Sequence, residues 1–288
     1  MGSFIFANPA SGSYAEKHIA ETAAFLEAAG ITAAICRVRT PQEVHDACAT
    51  MYRTDDHPCA IIAAGDGTIN AVINCLIPGN STLAVLPLGS SNVLAAELGI
   101  RSLNNGLQRI VRGNSRSLSV GQLDLSGTRH RFALMAGIGL DGAVVRDIQG
   151  TEKKMLRQGA YLLSVLRNCL SWECDTIEVI TESGAIECHT AVICNASRYG
   201  GDFILAPETC IFSSGFVVAC MQGGRRRNYL GAGFDLLRGH AGSSPHIRQI
   251  VCREVEIRGR RPVQIDGDFV GYSPAKLTAV SDVCRIIV

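Results

Sequence analysis

The stretch Ile61 to Asn70, IIAAGDGTIN, decides how this chain is read. Its front half completes an apolar run, CAIIAA (59–64), short enough and rich enough in Ala and Ile to be a buried strand. Two glycines around a single aspartate then break the run, and residues 68–77 carry apolar side chains at helical spacing. A strand that passes through a glycine turn into a helix is the repeating step of a parallel α/β sheet. The same step recurs on either side. Apolar runs FIFA (4–7), TAAICRV (32–38) and TLAVLPL (82–88) alternate with periodic segments near 14–29, 41–53 and 91–98. The expectation is an α/β first domain over residues 1–114, with right-handed crossovers and a parallel sheet.

Beyond IRSLNNGLQRIVRGNSR (100–116) the texture changes. SLSVGQLDL, HRFALMAG, TIEVITES and AIECHTAVICN are short and alternating, as antiparallel strands are. A second, antiparallel β-rich domain is therefore expected over 115–288, its last strand free to pack back towards the first. Helices are expected within it at 154–172 and 227–238. A chain of 288 residues suits two such units.

Composition excludes several classes. Hydrophobic residues make up 47% of the chain and the net charge is only +1, so a sizeable core is expected and a basic nucleic-acid surface is not. MGSFIFANPASGS has no basic segment ahead of a long apolar core, and no apolar run is long enough to span a bilayer. Met-Gly at the start lacks the Ser or Thr at position 6 of an acylation signal, where Phe6 stands. The twelve cysteines are scattered without metal-ligand spacing and sit mostly among Ala, Val and Ile. Reduced thiols and a cytoplasmic location are expected.

Three glycine-containing turns each follow a strand of the first domain: NPASG (8–12), GDGT (65–68) and LGSSN (88–92). In a parallel sheet such turns leave at the carboxyl edge, where open α/β sheets bind ligands, so all three should converge. Glycine lets backbone approach an anion, and N–H groups at helix starts supply partial positive charge. The outline is a phosphate cradle. Neither a G-x-x-x-x-G-K-[ST] loop nor a G-x-G-x-x-G fingerprint is present, and Lys17, Lys153, Lys154 and Lys276 all lie away from the turns. Asp66 has the wrong sign to bind phosphate itself. It suits a divalent cation or a proton to be accepted, both of which phosphoryl transfer requires. Its alternative task is to cap the helix at 68–77. NPASG can also be read as a proline turn, and Ser91 or Asn92 as a helix cap.

The ordered set NPASG, GDGTIN and PLGSSNVLAAELGI resembles the diacylglycerol kinase catalytic family, which includes bacterial lipid kinases, sphingosine kinases and ceramide kinases. FALMAGIGLDGAVV (132–145), KKMLRQGAYLL (153–163), NASRYGGDFILAPET (195–209) and VQIDGDFVG (263–271) resemble its later signatures, so the likeness runs over essentially the whole chain. The resemblance implies a nucleotide-binding domain like that of NAD kinases, a β-rich lipid-substrate domain, and ATP and lipid meeting in the cleft between them. It places Asn8, Pro9, Ser11, Gly12, Thr40, Gly65, Gly67, Thr68, Asn70, Gly89, Ser90 and Asn92 around ATP. Asp66 matches the family's acidic residue, taken here as catalytic and as a ligand of a catalytic Mg²⁺. The family's Asp-Gly-Glu becomes Asp266-Gly267-Asp268, whose acids are candidate catalytic residues and whose alternative reading is a D-G hairpin turn. Asp141 sits where sphingosine kinases hold the substrate head group; its other reading is a turn aspartate between strand and helix.

The chain departs from the family at several points. Ala64 stands where a glycine is usual, Ala71 follows Asn70, Val93 replaces an acid, and Asp268 is one methylene shorter than Glu. Ser213-Ser214-Gly215 lacks the acid that holds a structural Mg²⁺ in some members, so that ion is not expected. The resulting expectation is an ATP- and Mg²⁺-dependent lipid kinase acting on diacylglycerol, a sphingoid base or ceramide. The alternatives are a soluble NAD kinase-like enzyme and a catalytically weak nucleotide or lipid sensor. Partners are then the lipid substrate and, transiently, the membrane surface. The segments proposed for that contact are GGRRRNY (223–229) and the apolar stretch Tyr161 to Trp172. Monomer and homodimer both stay open.

Overall fold

The computed structural model describes residues 2–148, 175–223 and 225–288. The helix expected at 154–172, the Tyr161 to Trp172 stretch and the 153–163 signature lie outside the described residues. The chain divides into two compact units, residues 1–119 with 281–288, and residues 120–280.

Unit 1 is built by the strand–turn–helix step repeated. Its elements are β1 (Ser3–Ala7), α1 (Glu16–Ala28), β2 (Ala33–Arg37), α2 (Pro41–Thr54), β3 (Cys59–Ala64), α3 (Asp66–Cys75), β4 (Thr82–Pro87), α4 (Val93–Glu97) and α5 (Leu103–Arg112). The strands run parallel in the order β2-β1-β3-β4, so β1, β3 and β4 are neighbours. Ile5, Ile61, Ala84 and Leu86 from the strands pack with Ile19 and Leu26 of α1 and Leu107 and Ile110 of α5. Complete burial of each such large side chain contributes about 1.5–3 kcal/mol. Local chemistry sets the helix ends. Thr40 and Glu43 form a reciprocal capping box with Pro41 in the first turn of α2, Ser102 caps α5, and Gly113 ends α5 in the left-handed region.

Unit 2 comprises β5 (Ser115–Leu125), β6 (Thr128–Phe132), β7 (Met135–Ile138), α6 (Leu140–Ile148), β8 (Ile177–Thr181), β9 (Gly184–Cys188), β10 (Thr190–Cys194), β11 (Arg198–Tyr199), β12 (Phe203–Ile204), β13 (Phe216–Met221), α7 (Arg226–Leu237), β14 (Ile247–Cys252), β15 (Glu254–Arg258), β16 (Pro262–Ile265), β17 (Asp268–Tyr272) and β18 (Ala275–Ile287). The division between units falls inside β5 and β18: residues 275–278 pair with β15, while Arg285 and Ile286 run parallel beside β4. One layer is an antiparallel sheet in the order β14-β13-β10-β7-β16-β17. The other holds β18, β15, β8 and β9, with β5 and β6. Their shared core joins Leu123, Phe132, Ile257 and Leu277 to Ile138, Ile193, Val218 and Val263. The fold is therefore an α/β parallel-sheet domain followed by an antiparallel β-sandwich-like domain.

Two expected strands are each broken in two. HRFALMAG is interrupted at Ala133 and Leu134, and AIECHTAVICN at His189. Most described cysteines behave as small hydrophobes. Burial pushes the Cys59 thiol up to about 11 and that of Cys252 up to about 12, which keeps both protonated.

Phe132 anchors the sandwich, stacked on Phe216 with ring centroids 5.9 Å apart. Gly121, its cross-strand partner, leaves the room the ring occupies: a Cβ there would lie 2.0 Å from Phe132 Cζ. Gly121→Ala is expected to cost about 1–3 kcal/mol through overpacking. Phe132→Leu should return part of that loss in the double variant, giving a coupling energy of about 0.5–3 kcal/mol in a denaturation cycle. Strictly additive losses would show that the ring is not what requires the glycine.

Candidate active site

The three turns of unit 1 are joined by direct bonds at one sheet edge. Asn8 at the end of β1 donates its side-chain amide to Thr68 Oγ1 at 2.9 Å, and its carbonyl oxygen accepts Ala10 N–H at 2.8 Å. The first turn thereby grips the second, and NPASG does contain an aspartate-type turn closed by Asn8. Ser13 N–H reaches Leu88 O at 3.0 Å, so the first turn also holds the end of β4. Gly12 faces Ser90 closely: a Cβ at 12 would lie 2.3 Å from its Oγ.

The second and third turns meet backbone to backbone. A Cβ on Gly89 would lie 2.4 Å from Gly65 Cα, and one on Gly65 would lie 3.1 Å from Gly89 Cα. Both positions need glycine because no side chain fits between two main chains. Asn92, in the left-handed region at φ 51°, folds its amide back to accept Gly89 N–H at 2.7 Å and donate to Gly89 O at 2.9 Å. It shapes the turn instead of capping α4 through its side chain.

That capping is done by Asp66. Its two carboxylate oxygens accept the N–H groups of Val93 and Leu94 at 3.0 Å each, at the start of α4. The capping alternative is thus realised on a different helix from the one expected. Asp66 opens α3 without a side-chain cap bond to it, and stitches GDGT to LGSSN instead. A carboxylate offers about four acceptor sites, so two remain. Gly67 is exposed in the first turn of α3, and a Cβ there would meet nothing within 4 Å. The fold itself does not require glycine at that position; a close-lying ligand would.

Two expected contacts have other duties. Thr40 Oγ1 accepts Glu43 N–H at 3.2 Å in the capping box. Asn70 is buried, and its side-chain oxygen accepts the Asn74 amide at 2.7 Å.

In unit 2, Asp266 and Gly267 form the two-residue connection between β16 and β17, Ile265 pairing with Asp268. Both have positive φ, 46° and 88°, as a type I′ hairpin requires. The hairpin reading of this segment is therefore realised. Asp266 also accepts three main-chain N–H groups, from Ala133 at 2.8 Å, Leu134 at 3.0 Å and Met135 at 2.9 Å, which is why the chain breaks between β6 and β7 there. Asp268, two residues on, is exposed.

Asp141 is buried in the first turn of α6. It accepts hydrogen bonds from the Tyr199 hydroxyl and, at 2.5 Å, from Gln264 Nε2. Gln264 Oε1 accepts Gly267 N–H at 2.8 Å, so one amide ties Asp141 to the Asp266-Gly267-Asp268 turn. Gly137 makes room for this: a Cβ there would lie 1.7 Å from Asp141 Oδ2. Sequence reading missed Tyr199, Gln264 and Gly137. The available signal was a glutamine buried between Val263 and Ile265 in a strand with no polar face. Asp66 belongs to unit 1 and Asp141, Asp266 and Asp268 to unit 2, each set being described within its own unit.

The donor chemistry fits Mg²⁺. No group of three or more His, Cys, Asp or Glu side chains able to hold a metal occurs among the described residues. Mg²⁺ does not require one, since it is commonly held by one or two carboxylates together with phosphate oxygens. Asp66 has acceptor sites to spare for that role.

Glycine turns converging at the edge of a parallel sheet, followed by an antiparallel sandwich in which Asp141 and the Asp266 turn are linked through Gln264, define a two-unit α/β-plus-sandwich class. Comparison places the chain within it. The family described as diacylglycerol kinase catalytic domain matches residues 3–123, and that described as YegS C-terminal NAD kinase beta sandwich-like domain matches residues 135–288. The chain belongs to the diacylglycerol kinase catalytic family and is a lipid kinase of the YegS-like kind. It is 27% identical over 284 residues, 94% of this chain and 91% of the relative, to "Diacylglycerol kinase" of Bacillus subtilis (strain 168). It is 29% identical over 160 residues, 52% of this chain and 50% of the relative, to "Probable lipid kinase YegS-like" of Shewanella frigidimarina (strain NCIMB 400). The crystal structure of a diacylglycerol kinase from Bacillus anthracis str. Sterne shares the fold, with a TM-score of 0.73 at 14% identity over 99% of this chain and 96% of that one. Another structure from that organism reaches 0.80 at 16% identity with the same coverage.

Asp66→Asn tests the stitch. The amide can accept one of the two N–H groups but turns its own NH₂ towards the other, an expected cost of about 1–3 kcal/mol. The variant should melt at a lower temperature than wild type in the absence of any ligand. Unchanged melting would show that the Asp66 bonds to Val93 and Leu94 carry no stability.

Proposed function

We propose that the protein transfers the γ-phosphate of ATP to the hydroxyl of a membrane lipid, diacylglycerol being the first acceptor to test. The observation that carries this reading is the convergence of the three glycine turns around the start of α3, bound to one another by Asn8, Ser13 and Asp66. It is supported by the open face at Gly67 and by the name of the Bacillus subtilis relative, which matches over nearly the full chain. Sphingoid bases and ceramide are acceptors of the same chemistry and form the other arms of the test.

In this reading the triphosphate lies against the turns, where the first N–H groups of α3 present partial positive charge to its oxygens. The glycines let main chain approach closely, and Ser11, Ser90 and Thr68 offer hydroxyls beside them. When bound, Mg²⁺ would neutralise charge between the phosphates, held by the acceptor sites of Asp66 that Val93 and Leu94 leave open. Phosphoryl transfer asks mainly for positioning and charge neutralisation, with a base to take the hydroxyl proton.

The three candidate acids divide those tasks. Asp266 already accepts three N–H groups, so its work is to hold the turn. Asp66 accepts two and keeps the remainder for the cation. Asp268 is exposed on a turn fixed by Asp266 and Gln264, and we assign it the base role. The missing methylene relative to Glu is a matter of reach, which the turn geometry sets.

Label transfer from the γ-phosphate to diacylglycerol, sphingoid base and ceramide in mixed vesicles tests the activity, and transfer should vanish when Mg²⁺ is chelated. Asp268→Asn is expected to lower kcat by about 10²–10⁴-fold, the usual worth of a general base. Asp268→Glu, carrying the family's acid, should retain transfer. Full activity in Asp268→Asn would remove the base assignment. No phosphorylated lipid with any acceptor, and NADP⁺ formed from NAD⁺, would replace the whole reading by that of a soluble nucleotide kinase.

A further inference from the structure

The outer face of α7 is apolar, cationic at its margins, and turned away from the core. We propose that it is the surface by which the protein docks on an anionic lipid bilayer. The inference deepens the lipid-substrate reading above, since it says where that substrate's membrane is met.

Three large apolar side chains on this helix are mostly exposed: Leu230 at 57%, Phe234 at 52% and Leu237 at 59%. Their spacing of four and three residues sets them within about 60° of arc at 3.6 residues per turn, so they form one stripe. The opposite face is the one that packs. Tyr229 and Ala232 are buried, and Asp235 points back to accept the Ser244 hydroxyl at 2.6 Å. The stripe is therefore surplus to the core, in a helix whose inner face is already satisfied.

The margins specify the partner. Arg227 and Arg238 are exposed and lie on one flank of the stripe, with Arg225 just ahead of the helix. Arg238 rests its guanidinium over the Phe234 ring, 4.0 Å from the centroid. The acid of the helix, Asp235, is on the packed side, so the helix itself places no negative charge on the stripe. An apolar stripe with cations along one flank suits a bilayer with anionic head groups: the apolar side chains enter the head-group and acyl boundary, and the arginines meet phosphates. In water the cation covers the aromatic ring; at the membrane the guanidinium turns to phosphate and releases the ring inward. No helix among the described residues is long and apolar enough to cross a membrane, so this contact is with the surface.

The proposal adds α7 to the contact expected at GGRRRNY (223–229). The arginines steer, and the apolar grip comes from the helix after them.

The test measures partitioning of the full-length protein onto sucrose-loaded vesicles of phosphatidylcholine alone and with about one-third phosphatidylglycerol. Wild type should sediment with the anionic vesicles and release in high salt. The double variant Phe234→Ser with Leu237→Ser should partition at least about tenfold more weakly, having lost two apolar anchors. Arg227→Gln and Arg238→Gln should each cost about fivefold, seen only with anionic vesicles. Phosphorylation of a short-chain, water-soluble diacylglycerol should be unchanged in all of these variants, while phosphorylation in vesicles falls with partitioning. Equal partitioning of wild type and the serine double variant would overturn the proposal. So would a wild-type dimer that the double variant converts to monomer, since a second copy would then be the occupant. If wild type phosphorylates neither soluble nor vesicle substrate, the catalytic reading fails, and the partition measurement still decides the docking face.

Discussion

The arrangement of unit 1 depends on a single carboxylate spanning two turns. Asp66 leaves the end of β3 and places its oxygens on the first N–H groups of α4, which follows the neighbouring strand. Those N–H groups are among the orphans that every helix start must satisfy, and an anionic acceptor satisfies them while matching the helix dipole. The bond goes with Gly65 and Gly89 lying main chain against main chain, while Ser90 of the same turn lies against Gly12 of the first. Convergence at the carboxyl edge is thus fixed by specific bonds as well as by the topology of the sheet.

Unit 2 repeats the device with different parts. Asp266 binds three consecutive N–H groups between β6 and β7, and so ties a hairpin tip to a distant chain break. Asp141 receives Tyr199 and Gln264, and Gln264 passes on to Gly267. Each carboxylate holds main-chain or side-chain amide groups in place within its own unit. Hydrogen bonds to charged acceptors contribute roughly 1.5–3 kcal/mol, more than neutral ones, which makes carboxylates effective pins for turns that must not move.

The order of strands and helices in unit 1 could be read directly, because apolar runs and helical spacing report burial on a regular sheet. GDGT, NPASG and LGSSN could be read as turns for the same reason. The partners of the acids could not. Asp66 bonds groups 27 and 28 residues away, and Asp266 bonds groups more than 130 away, through main-chain N–H that leaves no trace in residue type. Gln264 was hidden by the burial of both faces of β16, which erases the alternation that would have marked it as unusual. The apolar stripe of α7 escaped for a related reason. Spacing marks a helical face, but sequence alone does not say whether that face is turned in or out.

The departures from the family pattern fall where the main chain carries the function. Ala64 is the last residue of β3, buried and paired with Pro87, so the extra methyl sits inside the sheet and not in the turn. Val93 contributes its N–H to Asp66, a bond any side chain permits. What its substitution removes is one carboxylate, and with it one hard-oxygen ligand beside the turns. On the reading proposed above, a cation beside the turns would draw on Asp66, water and the phosphates, a ligand set that Mg²⁺ accepts. The bonds that draw the three turns together involve no side chain at 64 or 93, so both departures leave them intact.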